Sequence, residues 1–428
     1  MKKILLFVLL VATVLTGSAQ EKKQKPISVK LYGFVRNYID FDTRENLSSS
    51  SDQFNMIPKD NDFVGNEDMN QRYDIHLLSI TTRLGLNITG PEFLNANTSA
   101  KIETDLAGFG TSNTVLRIRQ AYAKMDWTKH SLLIGQAWHP MMGDMMPDVF
   151  SLATGSPFTP FSRSPQVRYD FKAGGFTLTA TALYQFQYLS YGPSFSNGKW
   201  SSATSFEYAR KAVIPEGYIQ AMYKSGGFQA GLGVDILTLK PRNEYTNGNG
   251  DRMKSESLVT SYSPTLFVSY KGNNWGIKTR ATYAQNASHL NMLSGYAVTD
   301  VKDGEWEYSP MSSVTCWIDA TYKQKLKKGS LTYCLFGGYG KNLGCCKDIP
   351  LLAENGDKRL LFIRGYNNID YYWRVAPSII YTHNAMQIGL EYEPTTVGYG
   401  KTMESNGKVK ADHFVTNHRI CAMVKYNF

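Results

Sequence analysis

Apolar and polar residues alternate along most of this chain. Leu78, Ile80, Thr82, Leu84, Leu86 and Ile88 interleave with Ser79, Thr81, Arg83, Gly85 and Asn87. Phe176, Leu178, Ala180, Ala182, Tyr184 and Phe186 interleave in the same way with Thr177, Thr179, Thr181, Gln185 and Gln187. Residues 228–238, 258–271 and 275–286 repeat the pattern, and Tyr371, Trp373, Val375, Pro377, Ile379 and Tyr381 form the apolar side of another run. A period of two marks a strand whose faces meet different environments. Pro377 lacks an amide donor, so a bulge or weakened pairing is expected there.

The connections alternate in length. Short turns are expected near Gly90–Ala96, Thr128–His130, Gly174–Gly175, Gly226–Gly227, Gly272–Asn274, Leu326–Gly329 and Asn384–Ala385. Long polar loops are expected near Thr43–Ile75, Phe109–Thr114, His139–Ser164, Leu189–Pro215, Pro241–Ser257, Ala287–Pro310, Lys341–Asp370 and Thr395–His413. Seven turns and eight loops join sixteen strands; the two earliest boundaries are blurred, so fourteen and eighteen stay open. Short turns on one side and long loops on the other predict an all-β fold, a transmembrane antiparallel β-barrel. A secreted β-sandwich alternates too, but does not place a long loop at every second connection.

The two ends agree. In Phe414–Phe428, the residues Phe414, Ile420, Ala422, Val424, Tyr426 and Phe428 share one parity, and Asn417, Arg419, Cys421, Lys425 and Asn427 the other. A last strand closing on Tyr-x-Phe resembles the terminal strand that the barrel-assembly machinery of bacterial outer membranes reads. Lys2 and Lys3, the apolar run Ile4–Leu15 and the small residues Gly17–Ala19 have the order of a secretory signal peptide cut after Ala19. The expected organisation is therefore 1–19 signal peptide, 20–28 a short extension and 29–428 barrel. Beyond Ala19 no apolar run approaches the ~20 residues of a membrane helix.

Composition fits. The 428 residues include 27 Tyr, 21 Phe and 36 Gly. Tyr270, Tyr283, Tyr322, Tyr333, Tyr392 and Tyr426 sit near strand ends on the apolar parity, where aromatic girdles meet the membrane interfaces. The formal charge of +10 needs no nucleic acid; basic loops beside lipopolysaccharide and anionic outer-membrane lipid are a sufficient reason.

Carried backwards from the last strand, the parity sorts the charges. Arg36, Arg83, Lys101, Arg168, Lys278, Arg280, Lys323, Arg374, Arg419 and Lys425 point inward, and so do Arg117 and Arg119 on a strand whose alternation small residues blur. Inward acids are fewer: Glu103, Asp105, Asp170, Asp235, Asp319, Glu391 and Glu393. Basic rings favour anions, and guanidinium groups bind carboxylates bidentately. The plain alternative is a mixed lining that merely hydrates the lumen and pairs across strands. The loop His139–Ser164 follows the fifth strand, where general porins fold a loop back into the barrel. Its Met, Phe and Pro content suits a buried place better than an exposed one. Met141, Asp144, Asp148, Phe158 and Arg163 are its expected constriction residues, with Asp144 and Asp148 facing the arginine wall. Four Met without a His/Cys pattern is weak support for copper, and no metal or cofactor is expected.

The segments KIETDLAG (Lys101–Gly108), LRIRQAYAKMD (Leu116–Asp126), LLIGQAW (Leu132–Trp138), SPQVRYDF (Ser164–Phe171) and NHRICAMVKYNF (Asn417–Phe428) resemble the DcaP-type porins. The resemblance implies a sixteen-stranded homotrimeric porin for small anionic, carboxylate-bearing solutes, with Arg117, Arg119 and Arg168 inside matched segments. The N-terminal coiled coil of some members has no counterpart, so a trimer has to use the barrel wall. Two functions remain: an anion-preferring diffusion channel, and a surface-exposed structural or adhesion barrel without significant transport. An enzyme is not expected. The seven His are scattered without metal-ligand spacing, and His418, facing lipid, suits a girdle better than a Ser/His pair. Five Cys leave at least one unpaired, and the adjacent Cys345–Cys346 is weak support for a thiol partner or a metal.

Overall fold

The computed structural model describes residues 26–49, 54–108, 115–143, 145–352, 358–365 and 367–428. The expected signal peptide, most of the 20–28 extension, the Phe109–Thr114 loop and Asp144 lie outside the described residues. None of the helices among them is long and apolar enough to cross a membrane.

Sixteen strands close into one antiparallel barrel. They are β1 (Ser28–Asp42), β2 in two pieces (Asp74–Leu78 and Arg83–Thr89), β3 (Asn97–Asp105), β4 (Arg117–Asp126), β5 (His130–Trp138), β6 (Arg163–Ala173), β7 (Phe176–Leu183) and β8 (Glu216–Ser225). The second half comprises β9 (Phe228–Leu239), β10 (Val259–Lys271), β11 (Trp275–Gln285), β12 (Glu305–Lys325), β13 (Ser330–Cys345), β14 (Ile369–His383), β15 (Met386–Tyr399) and β16 (His413–Asn427). The seam is β1 against β16, in register from Phe34↔Asn427 to Asp42↔Arg419. Closure leaves no edge, which is what permits strands in lipid.

The wall has a dry and a lined side. Leu178, Ile219, Leu232, Leu266, Leu335, Leu390 and Ile420 are exposed outward, while Thr179, Thr265, Thr282, Asp235 and Glu391 are buried inward. All six girdle tyrosines face outward; Tyr322 and Tyr333 stack at 6.4 Å, and Tyr270 stacks on Trp275 at 5.1 Å. His418 stacks on Tyr392 at 6.0 Å in the outer girdle.

Three local departures correct the sequence reading. A turn, with Thr82 N–H donating to Ser79 O at 3.1 Å, splits β2 and reverses its parity. Ile75 and Leu77 therefore face out before it and Leu84 after it, while Ile80 and Leu78, expected on the lipid side, turn inward. A bulge in β4 passes the pairing from Glu103↔Gln120 to Thr104↔Ile118, which is why the alternation around Arg119 is blurred. Strands β12, β13 and β15 run on to Glu305, Cys345 and Tyr399, beyond the expected loop boundaries at Pro310, Lys341 and Thr395. At Pro377 the register is unbroken, but the ladder to β15 passes from Arg374↔Thr395 to Ser378↔Glu391, which is weakened pairing without a bulge.

Candidate pore constriction

Three outer loops fold into the barrel. The loop after β5, His139–Ser162, crosses the lumen and meets the opposite wall. Met141, Met142, Met145, Phe158 and Phe161 are buried in it. Phe158 packs against Phe336 of β13 and Tyr372 of β14, with ring centroids 6.0 and 5.0 Å apart. Glycines make these seats: a Cβ on Gly338 would lie 2.6 Å from the Phe158 ring, and one on Gly389 would overlap Phe150. The hairpin of the first loop, Asn46–Ser49 with Phe54–Pro58, brings Met56 and Ile57 inward. The loop after β11 adds the buried turn Ala287–Leu290, whose Leu290 O accepts from Phe161 N–H at 2.7 Å. Asn291 Nδ2 donates to Ser156 Oγ at 3.1 Å, joining the two loops.

Two of the expected lining arginines anchor these loops instead. Arg374 is buried, with Nη1 donating to Thr154 O at 2.8 Å and Ser156 O at 2.7 Å and Nη2 to Met56 O at 2.8 Å. Its Nε lies 3.2 Å from Glu393. Arg280 donates to the carbonyls of Met141 and Met145. Arg419 is held by Asp42, at 3.0 Å from Nε and 2.9 Å from Nη2. These three are buried against loop carbonyls and Asp42 and do not line open water. Asp148 likewise does not face arginine: it pairs with Lys278 of β11 at 2.6 Å, and its amide donates to Asp319.

A second group of arginines gathers on β1–β6. Arg117 is bidentate to Asp105 at 2.9 and 2.7 Å. Arg119 reaches Glu103 at 2.8 Å and Asp105 at 2.6 Å, and the bulge brings Gln120 to the same Glu103 at 3.3 Å. Arg83 lies 3.7 Å from Glu103. Arg36 donates from Nε to Thr81 Oγ1 at 2.9 Å and stacks on Phe34 and Tyr38. Arg163, the first residue of β6 rather than a tip residue of the loop, lies over Trp138 at 4.6 Å and bonds Gln187 at 3.0 Å. Lys101 sits over Tyr32, and Arg168 meets Asp170 at 2.9 Å. Lys323, near the end of β12 opposite Thr332, is exposed rather than inward.

The wall is under-neutralised. Arg36, Arg83, Lys101, Arg117, Arg119, Arg163 and Arg168 share it with Glu103, Asp105 and Asp170. Buried donor atoms remain without a partner on Arg83 (Nε), Arg117 (Nη1), Arg119 (Nη2) and Arg163 (Nη1 and Nη2). Buried charged donors are normally satisfied, so a cluster of them suits an incoming anion. Strand parity places every member of this wall except Arg163, which is expected from the loop instead; the loop-anchoring task of Arg280 and Arg374 leaves no mark in the parity.

No protein-family model and no curated protein matches the sequence. Solved structures do match. The outer membrane channel DcaP of Acinetobacter baumannii superposes with a TM-score of 0.65 at 19% identity, covering 97% of this chain and 100% of that one. OmpT of Vibrio cholerae, an outer membrane protein solved in a trimer form, gives 0.50 at 12% identity, covering 94% and 100%. The anion-selective porin of Comamonas acidovorans gives 0.50 at 10% identity, again covering 94% and 100%. The fold is that of an outer-membrane porin-type barrel.

Proposed function

We propose that this barrel is an outer-membrane diffusion channel preferring small anionic, carboxylate-bearing solutes. The unpartnered guanidinium atoms on Arg83, Arg117, Arg119 and Arg163 carry the reading. They sit on a wall where basic side chains outnumber acidic ones, and a carboxylate is the acceptor that a guanidinium edge matches with two parallel bonds. Arg36, Lys101 and Arg168 extend the positive field along the path. The inward loop narrows the passage opposite, so a solute meets the wall rather than bulk water, where the attraction is weaker. A homotrimer assembled through the barrel wall belongs to the same proposal and is supported by the trimer form of OmpT, which shares the fold. Lipopolysaccharide and the barrel-assembly machinery are its expected partners, and no catalysis is proposed.

Planar-bilayer recording tests it. A salt gradient across membranes holding the wild-type barrel should give an anion-selective reversal potential. Arg163→Gln combined with Arg117→Gln should move that potential toward zero. A cation-selective wild type would remove the arginine argument. Absence of stepwise current would favour the adhesion reading, to which the three inward loops and their buried cluster around Met56, Phe158 and Tyr372 give some weight.

A further inference from the structure

The cavity side of β8 and β9 holds a second polar cluster that the anion path does not use. Glu216, at the start of β8, and Asp235, on β9, lie on the inner face, Asp235 opposite Tyr218 in the ladder. His139, which follows β5 directly, and His289, in the turn Ala287–Leu290, reach them from the two inward loops. His139 Nε2 is 2.8 Å from Glu216 Oε1 and 3.6 Å from Asp235 Oδ1. His289 Nε2 is 3.0 Å from the same Glu216 Oε1 and 4.0 Å from Asp235 Oδ2. All four side chains are at most 3% exposed.

We propose that His139, Glu216 and Asp235, with His289 alongside, bind a divalent transition-metal ion, zinc foremost. Four observations carry this. The donor atoms of His139, Glu216 and Asp235 lie within 4.8 Å of one another. Glu216 Oε2 and Asp235 Oδ1 are buried and take no hydrogen bond from any N–H or hydroxyl; the two carboxyl groups meet each other, at a place where a cation can stand instead of a shared proton. Two buried carboxylates side by side are costly unless a cation meets them, and the neighbouring Arg280 is occupied by the Met141 and Met145 carbonyls. Finally, imidazole nitrogen with carboxylate oxygen is a zinc-type donor set, with bonds of about 2.0–2.2 Å. Tetrahedral ligands at that bond length stand roughly 3.3 Å apart, inside the observed 2.8–4.0 Å spread. One cost is visible: His139 Nδ1 now accepts from Met141 N–H at 3.2 Å. Metal on Nε2 moves the imidazole proton to Nδ1, and that long hydrogen bond is given up.

Such an ion would clamp two of the three inward loops, those carrying His139 and His289, to the β8–β9 wall. The test uses the full mature barrel in detergent, stripped with chelator, incubated with zinc chloride and gel-filtered before elemental analysis. The expected result is close to one zinc per barrel, with calcium and magnesium not retained. Glu216→Gln and Asp235→Asn should weaken retention at least about tenfold while keeping the heat-modifiable gel migration of a folded barrel. Wild-type protein that holds no zinc, or that retains all three ions alike, overturns the proposal; the two carboxylates then share a proton. Should the variants fail to fold, X-ray absorption on zinc-loaded wild type decides. An imidazole-containing nitrogen/oxygen shell supports the site, and an all-water-like oxygen shell overturns it.

Discussion

Arginine stands in two different settings here, as a loop anchor and on the β1–β6 wall, and the partners of each guanidinium tell them apart. Arg374 satisfies three loop carbonyls and Glu393 in a dry place. Removing it strands those acceptors and an uncompensated carboxylate, so Arg374→Met should lower unfolding stability by about 3–5 kcal/mol. Denaturant titration of the detergent-folded barrel checks this, and bilayer recording should show noisier, larger current steps as the loop loosens. The pair Lys278–Asp148 touches the same loop at 2.6 Å but with side chains 28% and 51% exposed. Lys278→Ala should therefore cost about 1 kcal/mol or less. Equal losses in the two variants would mean that burial is not what separates these anchors.

At the scale of elements, the wall was legible from residue order and the loop contacts were not. A strand's period is a local property, so one parity, taken from Phe428 backwards, places Arg419, Arg374, Arg280, Arg168 and Arg36 inward without reference to any tertiary contact. It failed at Ile80, where a turn inside β2 shifts the count, and it blurred at Arg119, where a bulge adds a residue. Both are backbone events without a distinctive side-chain mark. The buried place of the His139–Ser162 loop was legible from its Met and Phe content. What that loop touches was not, because the seats are glycines on strands far along the chain. Gly338→Val tests one seat: its side chain meets the Phe158 ring, so the loop has to shift. Overpacking of this kind costs about 1–3 kcal/mol and should raise single-channel conductance, which a thermal melt and a bilayer trace measure together.

For the whole molecule, the dominant asymmetry lies between the lipid side and the filled side of one sheet. Leu232 is mid-strand on β9 and 59% exposed to the surroundings. Leu232→Arg should destabilise the barrel in a bilayer by about 2–4 kcal/mol, read from unfolding titrations in vesicles. A loss near zero would place that face away from hydrocarbon.

The grip of Arg374 on Thr154 and Ser156 joins residues 220 and 218 positions apart, and the β1–β16 seam joins the two ends of the described barrel. Contacts of such sequence separation form late, because chain closure has to be achieved before they return any stabilisation. The crossing loop therefore has no seat until β13, β14 and β15 have taken their places. Until then Phe158 and Phe150 lack the seats that Phe336, Tyr372 and Gly389 provide.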